Sequence, residues 1–228
     1  MGMKDWQPLN LTQLINDVDE LIPGHLNTVE SLMLCTLVTQ LEENAKVVHL
    51  NPLVGQASAL MAAGLLAGKG GRLFAIGEFD LAQGATDWGL GATLADANQR
   101  DQFNQYVAGN GLGHYVTTRV ENATQAASRF KDRCVDLLFV DANRTISELS
   151  AELEGWLPKV KVGGVVACHG ATPEAAEHLQ KALSDTLLSP RLVCAPVLTD
   201  GLFVCRRHKA PKTKPKTAPL ELRTSFGP

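Results

Sequence analysis

The chain contains 228 residues, 45% of them hydrophobic, which suits one α/β domain with a full core and excludes a wholly disordered polypeptide. No apolar run reaches the roughly 18 residues that a membrane-spanning helix needs, and residues 1–10 lack the basic-then-apolar pattern of a secretory leader. We therefore expect a cytoplasmic protein. The five cysteines form no C-x-x-C pair, which predicts buried thiols rather than disulfides or a zinc site.

The formal net charge of −3 conceals an uneven distribution. Residues 206–228 contain seven Lys or Arg and only one acid, so the rest of the chain carries a net charge of −9. The same stretch contains four of the 11 prolines and few large apolar residues. This composition predicts a disordered basic tail over 207–228. An arm that binds an anionic partner is the alternative interpretation of its charge.

The first 45 residues predict a helical lead-in. Apolar residues recur at helical spacing from Leu11 to Ile22, where Pro23–Gly24 ends the pattern. Asn27 or Thr28 can cap a second helix, and Glu30 lies in its first turn, where an acid suits the helix dipole.

Residues 46–206 alternate between strand and helix patterns. Strands are predicted over 47–50, 72–76, 115–120, 135–140, 165–168, 191–197 and 202–205, and helices over 54–66, 95–107, 123–130, 147–157 and 173–183. This alternation indicates an α/β fold with a seven-stranded, mostly parallel sheet and helices on both faces. The last two strands are joined by a turn too short for a crossover, so one strand is antiparallel. Ligands of such sheets bind at the carboxyl ends of the strands.

One series of segments is similar to a known family. Asp136–Asp141, then Trp156–Pro158 and Gly163–Val166, match in order and spacing the fourth strand, helix and fifth strand of class I S-adenosylmethionine-dependent methyltransferases. The resemblance covers roughly residues 22–206. It is nearest to the macrocin-type and other sugar O-methyltransferases. Pro23–Glu30 resembles the lead-in helix of these enzymes. It implies a Rossmann-like methyltransferase fold, S-adenosylmethionine as cofactor, and transfer of a methyl group to an oxygen, or less readily a nitrogen, of a small molecule.

The resemblance places the cofactor loop at residues 49–58. Gly55 fits the need for a tight turn in which the backbone approaches the ligand, and Ser58 follows in the helix. Asn51 stands where the family has its first glycine, and His49 where it usually has an acid. Asn tolerates left-handed backbone angles, so the turn can survive. A plain strand–helix turn is the alternative interpretation.

Two further positions are implied to contact the adenosine. At the end of the second strand the family has an acid for the ribose hydroxyls, whereas here Gly77 is followed by Glu78 and, two residues later, Asp80. Glu78 is the candidate, and a solvated loop acid is its alternative role. Asn122 stands where an aspartate near the adenine is common, and it can equally cap a helix.

The chemistry is implied to lie at the ends of the fourth and fifth strands. Asp141 follows four apolar residues and is expected to anchor the cofactor, Arg144 to hold an anionic substrate, and His169 to act as the general base. Gly170 replaces an aspartate that would complete an oxygen-rich metal site, and Asn143 is neutral, so no metal is predicted.

A second hypothesis remains open. The departures from the family pattern fall at strand ends while the core pattern stays regular, as in a catalytically inactive binding or assembly module that keeps the fold. A different nucleotide-binding enzyme is weaker, because no G-x-G-x-x-G or P-loop sequence occurs. The expected partner is a small-molecule acceptor. Neither a membrane nor nucleic acid is expected, and a homo-oligomer is left open.

Overall fold

A computed structural model describes residues 11–79, 99–109, 111–141, 145–170, 193–199 and 201–208. The chain divides into two compact units, Met1–Ala123 and Thr124–Pro228. No helix within the described ranges is long and apolar enough to cross a membrane.

The first unit consists of four helices and three strands in its described part. The helices are α1 (Leu11–Leu21), α2 (Thr28–Thr39), α3 (Gln56–Ala67) and α4 (Gln99–Gly109), and the strands are β1 (Ala45–Leu50), β2 (Gly71–Gly77) and β3 (Val116–Val120). A 3₁₀ turn at Gly113–Tyr115 precedes β3. The expected helices and strands are therefore confirmed here, with bounds that differ by a few residues.

The strands of the first unit lie in the order β3-β2-β1 and are all parallel. Ala45 pairs with Gly71, and Leu73 pairs with Val116. The last four of the six residues of β1 are buried. A parallel strand that is covered on both faces reads as a continuous apolar run, which is why Val47–Leu50 was recognisable in the sequence.

The lead-in helix α2 begins at a capping box. The Asn27 side chain accepts hydrogen bonds from the backbone N–H groups of Val29 and Glu30, and the Glu30 carboxylate accepts from the Asn27 N–H at 3.0 Å. Asn27 is therefore the cap, one of the two residues that the sequence allowed.

The described part of the second unit contains four strands. These are β4 (Val135–Asp141), β5 (Val160–His169), β6 (Val193–Thr199) and β7 (Leu202–Arg207). They lie in the order β4-β5-β7-β6. β4 and β5 are parallel, and β7 is antiparallel to both of its neighbours. The described residues thus contain seven strands, and β7 is the expected antiparallel one.

Two helices are described after β3. A four-residue helix, α5 (Ala123–Ala126), begins at the last residue of the first unit and continues as a 3₁₀ turn, Ala127–Arg129. Helix α6 (Ile146–Trp156) begins at a second capping box, Thr145 with Glu148.

Strand β5 is longer than the sequence predicted. Residues 161–164 were expected to form a turn before the strand, but they lie within it as a bulge. The pairing passes from Val135 with Val160 directly to Leu137 with Val165, so β5 contains three extra residues there. Gly163 in this bulge has a φ of 81°, which is why the segment has the composition of a turn.

Several sequence predictions fall outside the described residues. These are the helix over 173–183, the loop acid Asp80, the pair Asn143 and Arg144, and the tail beyond residue 208.

Candidate functional site

The loop between β1 and α3 has an unusual backbone. Asn51 and Leu53 have φ values of 58° and 45°, and Gly55, the N-cap of α3, has a φ of 116°. Left-handed angles therefore recur at every second residue. Asn adopts left-handed backbone angles at moderate cost, as the sequence suggested, but Leu adopts them rarely. A non-glycine residue keeps such angles only where the surrounding structure enforces them.

The loop is joined to the end of the neighbouring strand. The Asn51 N–H donates to the Ile76 carbonyl oxygen at 2.8 Å, which extends the β1–β2 pairing by one residue. Gly77 follows at the end of β2, and a Cβ atom placed there would lie 3.0 Å from Cδ of Pro52. A side chain at residue 77 would therefore be crowded by the loop, which would have to move by a few tenths of an ångström.

This crowding gives a physical account of the missing ribose acid. A carboxylate at residue 77 would require the Asn51–Pro52 backbone to shift, since Cα of Asn51 would also be only 3.3 Å from the new Cβ. Glu78, the neighbouring candidate, has an exposed side chain at the carboxyl end of β2.

His49 is buried on β1 beneath the loop. Its Nδ1 lies 2.7 Å from Oγ of Ser58, in the first turn of α3, and both residues are at most 1% exposed. Burial lowers the pKa of His49 to about 3, so the imidazole is neutral where the related enzymes have an acid. The Ser58 hydroxyl, a sequence-predicted cofactor ligand, thus has a contact inside the protein.

Gly55 is covered by the ring of Phe103 from α4. A Cβ atom on Gly55 would lie 3.0 Å from Cδ2 of Phe103, which is itself fully buried and packs edge-on against Phe79 with ring centroids 5.3 Å apart. Glycine is therefore required at residue 55 by packing against α4 as well as by its φ.

The first residue of α3, Gln56, contacts the lead-in. Its Oε1 accepts from the Leu26 N–H at 3.0 Å, and its Nε2 donates to the Leu26 carbonyl oxygen at 3.3 Å. The Gln56 side chain is buried.

Asn122 lies two residues after the end of β3 and directly before α5, and its side chain is half-buried. The preceding Glu121 donates its N–H to the Gly77 carbonyl oxygen at 3.2 Å. Asn122 and Glu78 therefore follow adjacent strands at the same edge of the sheet of the first unit, as the sequence predicted for residues that contact one ligand.

In the second unit, Asp141 and His169 end the two parallel strands β4 and β5. They are register partners, which places their Cα atoms about 4.8 Å apart and their side chains on one face. Asp141 is half-buried, whereas His169 is only 2% exposed. The Gly170 N–H donates to the Gly201 carbonyl oxygen at 2.9 Å. The predicted acid and base are thus neighbours, while the third residue of that set, Arg144, lies outside the described residues.

No group of three or more His, Cys, Asp or Glu side chains in the described ranges is placed to hold a metal ion. The Cys35 and Cys168 thiols are free and buried, and burial raises the pKa of Cys35 to about 12 and that of Cys168 well above its usual value. Both are structural rather than reactive thiols, as expected.

Sequence reasoning missed four residues of this site: Pro52, Leu53, Gln56 and Phe103. The spacing of Leu53 between Asn51 and Gly55 was a usable signal, because it completes an alternate-residue pattern. The others act through contacts with residues far along the chain, for which a single sequence has no signal.

The comparisons with known proteins agree with this architecture. A structure of cofactor-bound Rv0187 from MTB is similar over 89% of this chain and 90% of its own, with a TM-score of 0.62 and 16% identity. A SAM-dependent O-methyltransferase from Thermotoga maritima matches over 88% and 73% of the two chains, with a TM-score of 0.59 and 14% identity. A methyltransferase from Geobacter sulfurreducens matches over 90% and 91%, with a TM-score of 0.56 and 16% identity. No curated protein matches the sequence significantly.

These likenesses define the class of fold, which is the Rossmann-like methyltransferase fold. The profile of the family described as methyltransferase domain matches residues 54–171, just over half of the chain. The chain belongs to this methyltransferase family.

Proposed function

We propose that the protein is an S-adenosylmethionine-dependent methyltransferase that holds its cofactor on the β1–α3 loop. The observation that carries this proposal is the left-handed backbone at residues 51, 53 and 55, two of which are not glycine. Strain of this kind concentrates at ligand sites. Family membership and the cofactor-bound neighbour also support it.

The residues present fit the amino-acid end of such a cofactor. Gly55, the N-cap of α3, provides no side-chain cap, so the N–H groups of the first turn of this helix are suited to bind a carboxylate. The loop residues supply backbone rather than side chains, so the replacement of glycine by Asn51 leaves this function intact.

Bound S-adenosylmethionine would supply an electrophilic methyl group. In the first unit Glu78 and Asn122 would bind the adenosine through its ribose hydroxyls and base edge. In the second unit Asp141 would anchor the cofactor, and His169 would accept the proton that the acceptor hydroxyl loses. Arg144 would hold an anionic part of the acceptor.

For the acceptor we propose the hydroxyl of a small molecule such as a sugar. The similarity of Pro23–Glu30 and of the Asp136–Asp141 segment to macrocin-type enzymes supports this assignment. A panel of sugar and phenolic acceptors with labelled cofactor would test it, and transfer to a nitrogen acceptor alone would contradict it.

Calorimetric titration with S-adenosylmethionine and its demethylated product, S-adenosylhomocysteine, tests the cofactor assignment. Asn51→Gly keeps the left-handed angle accessible and should bind like the wild type. Asn51→Val, whose β-branched side chain resists this angle, should bind at least about 10-fold more weakly. If the wild type shows no saturable binding of either compound at millimolar concentration, the proposal is wrong.

One observation favours the inactive module as a second candidate. Gly77 stands at the position of the ribose acid of the related enzymes, and Pro52 crowds any side chain there, so one ligand group of those enzymes is lost. Saturable binding of S-adenosylhomocysteine with no methyl transfer to any acceptor of the panel would support this candidate.

A further inference from the structure

The first turn of α3 is held at two points by buried side chains. Ser58 contacts His49 on β1, at 2.7 Å between Oγ and Nδ1. Gln56 contacts Leu26 of the lead-in through both the N–H and the carbonyl group of that residue, at 3.0 and 3.3 Å. The contact with β1 fixes the helix to the sheet, whereas the contact with Leu26 connects it to a separate segment of chain.

The lead-in segment is shaped around the Gln56 side chain. A Cβ atom on Gly24 would lie 1.8 Å from Oε1 and 2.4 Å from Cβ of Gln56, so any side chain at residue 24 would displace the whole Gln56 side chain, its amide included. Gln56 is only 7% exposed, and Leu26 packs at 7% exposure beside it. A buried amide that satisfies both polar groups of one residue specifies a single docked arrangement.

Gln56 also lies within the cofactor loop, residues 49–58. It directly follows Gly55 and is the first residue of α3, whose N-cap makes no side-chain hydrogen bond. A shift of the lead-in therefore changes the position of the turn through the Gln56 side chain.

We propose that Gln56 is a positioning residue that couples the docking of residues 24–26 to the geometry of the cofactor loop. The inference rests on the proposed function, because it assigns the loop to S-adenosylmethionine. Coupling of this kind is reciprocal: a ligand that orders the loop also strengthens the docking of Leu26. Residues 24–26 then belong to the ligand-binding apparatus although they contribute no ligand contact of their own.

Two substitutions remove this contact from opposite sides. Gln56→Met keeps the size of the side chain but removes both hydrogen bonds, and Gly24→Ala displaces the amide. Each should weaken the binding of S-adenosylhomocysteine by about 5- to 10-fold in calorimetry. The double variant should lose little more than the weaker single variant, because both act on one contact. Gln56→Asn, which shortens the side chain by one methylene, is the milder replacement if Gln56→Met does not fold.

Asn27→Ala is the matched control. It removes the cap of α2 and should lower the melting temperature, but it leaves Gln56 and Leu26 in place, so the affinity should stay within about twofold. Amide hydrogen exchange is the second measurement: S-adenosylhomocysteine should slow exchange at Leu26 in the wild type and in Asn27→Ala, but not in Gln56→Met.

Wild-type affinity in folded Gln56→Met and Gly24→Ala would overturn the inference and leave the proposed function standing. Equal loss of affinity in Asn27→Ala would also overturn it, since general destabilisation would then explain the effect. Absence of binding by the wild type would refute both the proposed function and the coupling.

Discussion

At the scale of single residues, His49 should make stability depend on pH. Its pKa is lowered by burial to about 3 from 6.5, so below pH 6.5 the unfolded chain binds a proton that the folded chain does not. Stability should therefore decrease as the pH falls. The contribution of His49 between pH 7 and pH 5 is about 2 kcal/mol. Urea unfolding at both pH values measures it.

The comparison of two variants isolates this effect. His49→Gln can keep a hydrogen bond to Ser58 without titrating, so its loss of stability between the two pH values should be smaller than in the wild type. His114 is exposed, and His114→Gln should reproduce the wild-type pH dependence. An unchanged pH dependence in His49→Gln would show that the buried imidazole is not the group responsible.

Restoring the acid of the related enzymes should fail at Gly77. Because a Cβ atom there would lie 3.0 Å from Pro52, Gly77→Asp should lower the free energy of unfolding by about 1–3 kcal/mol and should not tighten cofactor binding. Gly77→Ala should show a similar loss of stability. Gly155→Ala, whose Cβ would lie at an ordinary 3.5 Å from Ala127, serves as control for urea unfolding. Tighter binding by Gly77→Asp would contradict the steric account.

At the scale of elements, the sequence predicted which helices and strands exist, and their order, better than it predicted the residues at which they begin and end. Asn27 and Glu30 carry a local signal, because a capping box depends on residues three apart, and α2 begins where they indicate. β5 was predicted too short, because the composition of residues 161–164 is the same for a turn and for a bulge. Only the pairing of Val160 and Val165 with β4 distinguishes the two.

The bulge gives a prediction that isolates backbone conformation. Gly163 has a φ of 81°, and a Cβ atom added to it would meet nothing within 4 Å, so crowding plays no part. Gly163→Ala should destabilise the fold by about 1 kcal/mol, and Gly163→Asn by less, because Asn tolerates left-handed angles. Gly109, at the end of α4, is equally open without a left-handed φ, and Gly109→Ala should not be destabilising. Equal effects of Ala at both positions in urea unfolding would refute this explanation.

At the scale of the whole molecule, the alternation of strands and helices was enough to predict the fold and the strand ends at which candidate residues lie. It could not predict the contacts that shape the loop. The Gln56–Leu26 hydrogen bonds join residues 30 positions apart, and Phe103 covers Gly55 from a different helix. These contacts arise from packing in the folded protein. A single sequence contains both residues of each pair but does not show that they are in contact.

The proposed role of Asp141 leads to the last prediction. Because we propose Asp141 as an anchor of the cofactor, saturating S-adenosylhomocysteine should slow amide exchange at the end of β4 as well as in the β1–α3 loop. At about 100 times its Kd, the ligand should also raise the free energy of unfolding by about 2.7 kcal/mol. Asp141→Asn should weaken binding and abolish the protection at β4 while protection of the loop remains at higher ligand concentration. Protection confined to the first unit in the wild type would show that Asp141 does not anchor the cofactor. Its carboxylate would then be tested, together with His169, for a role in binding the acceptor.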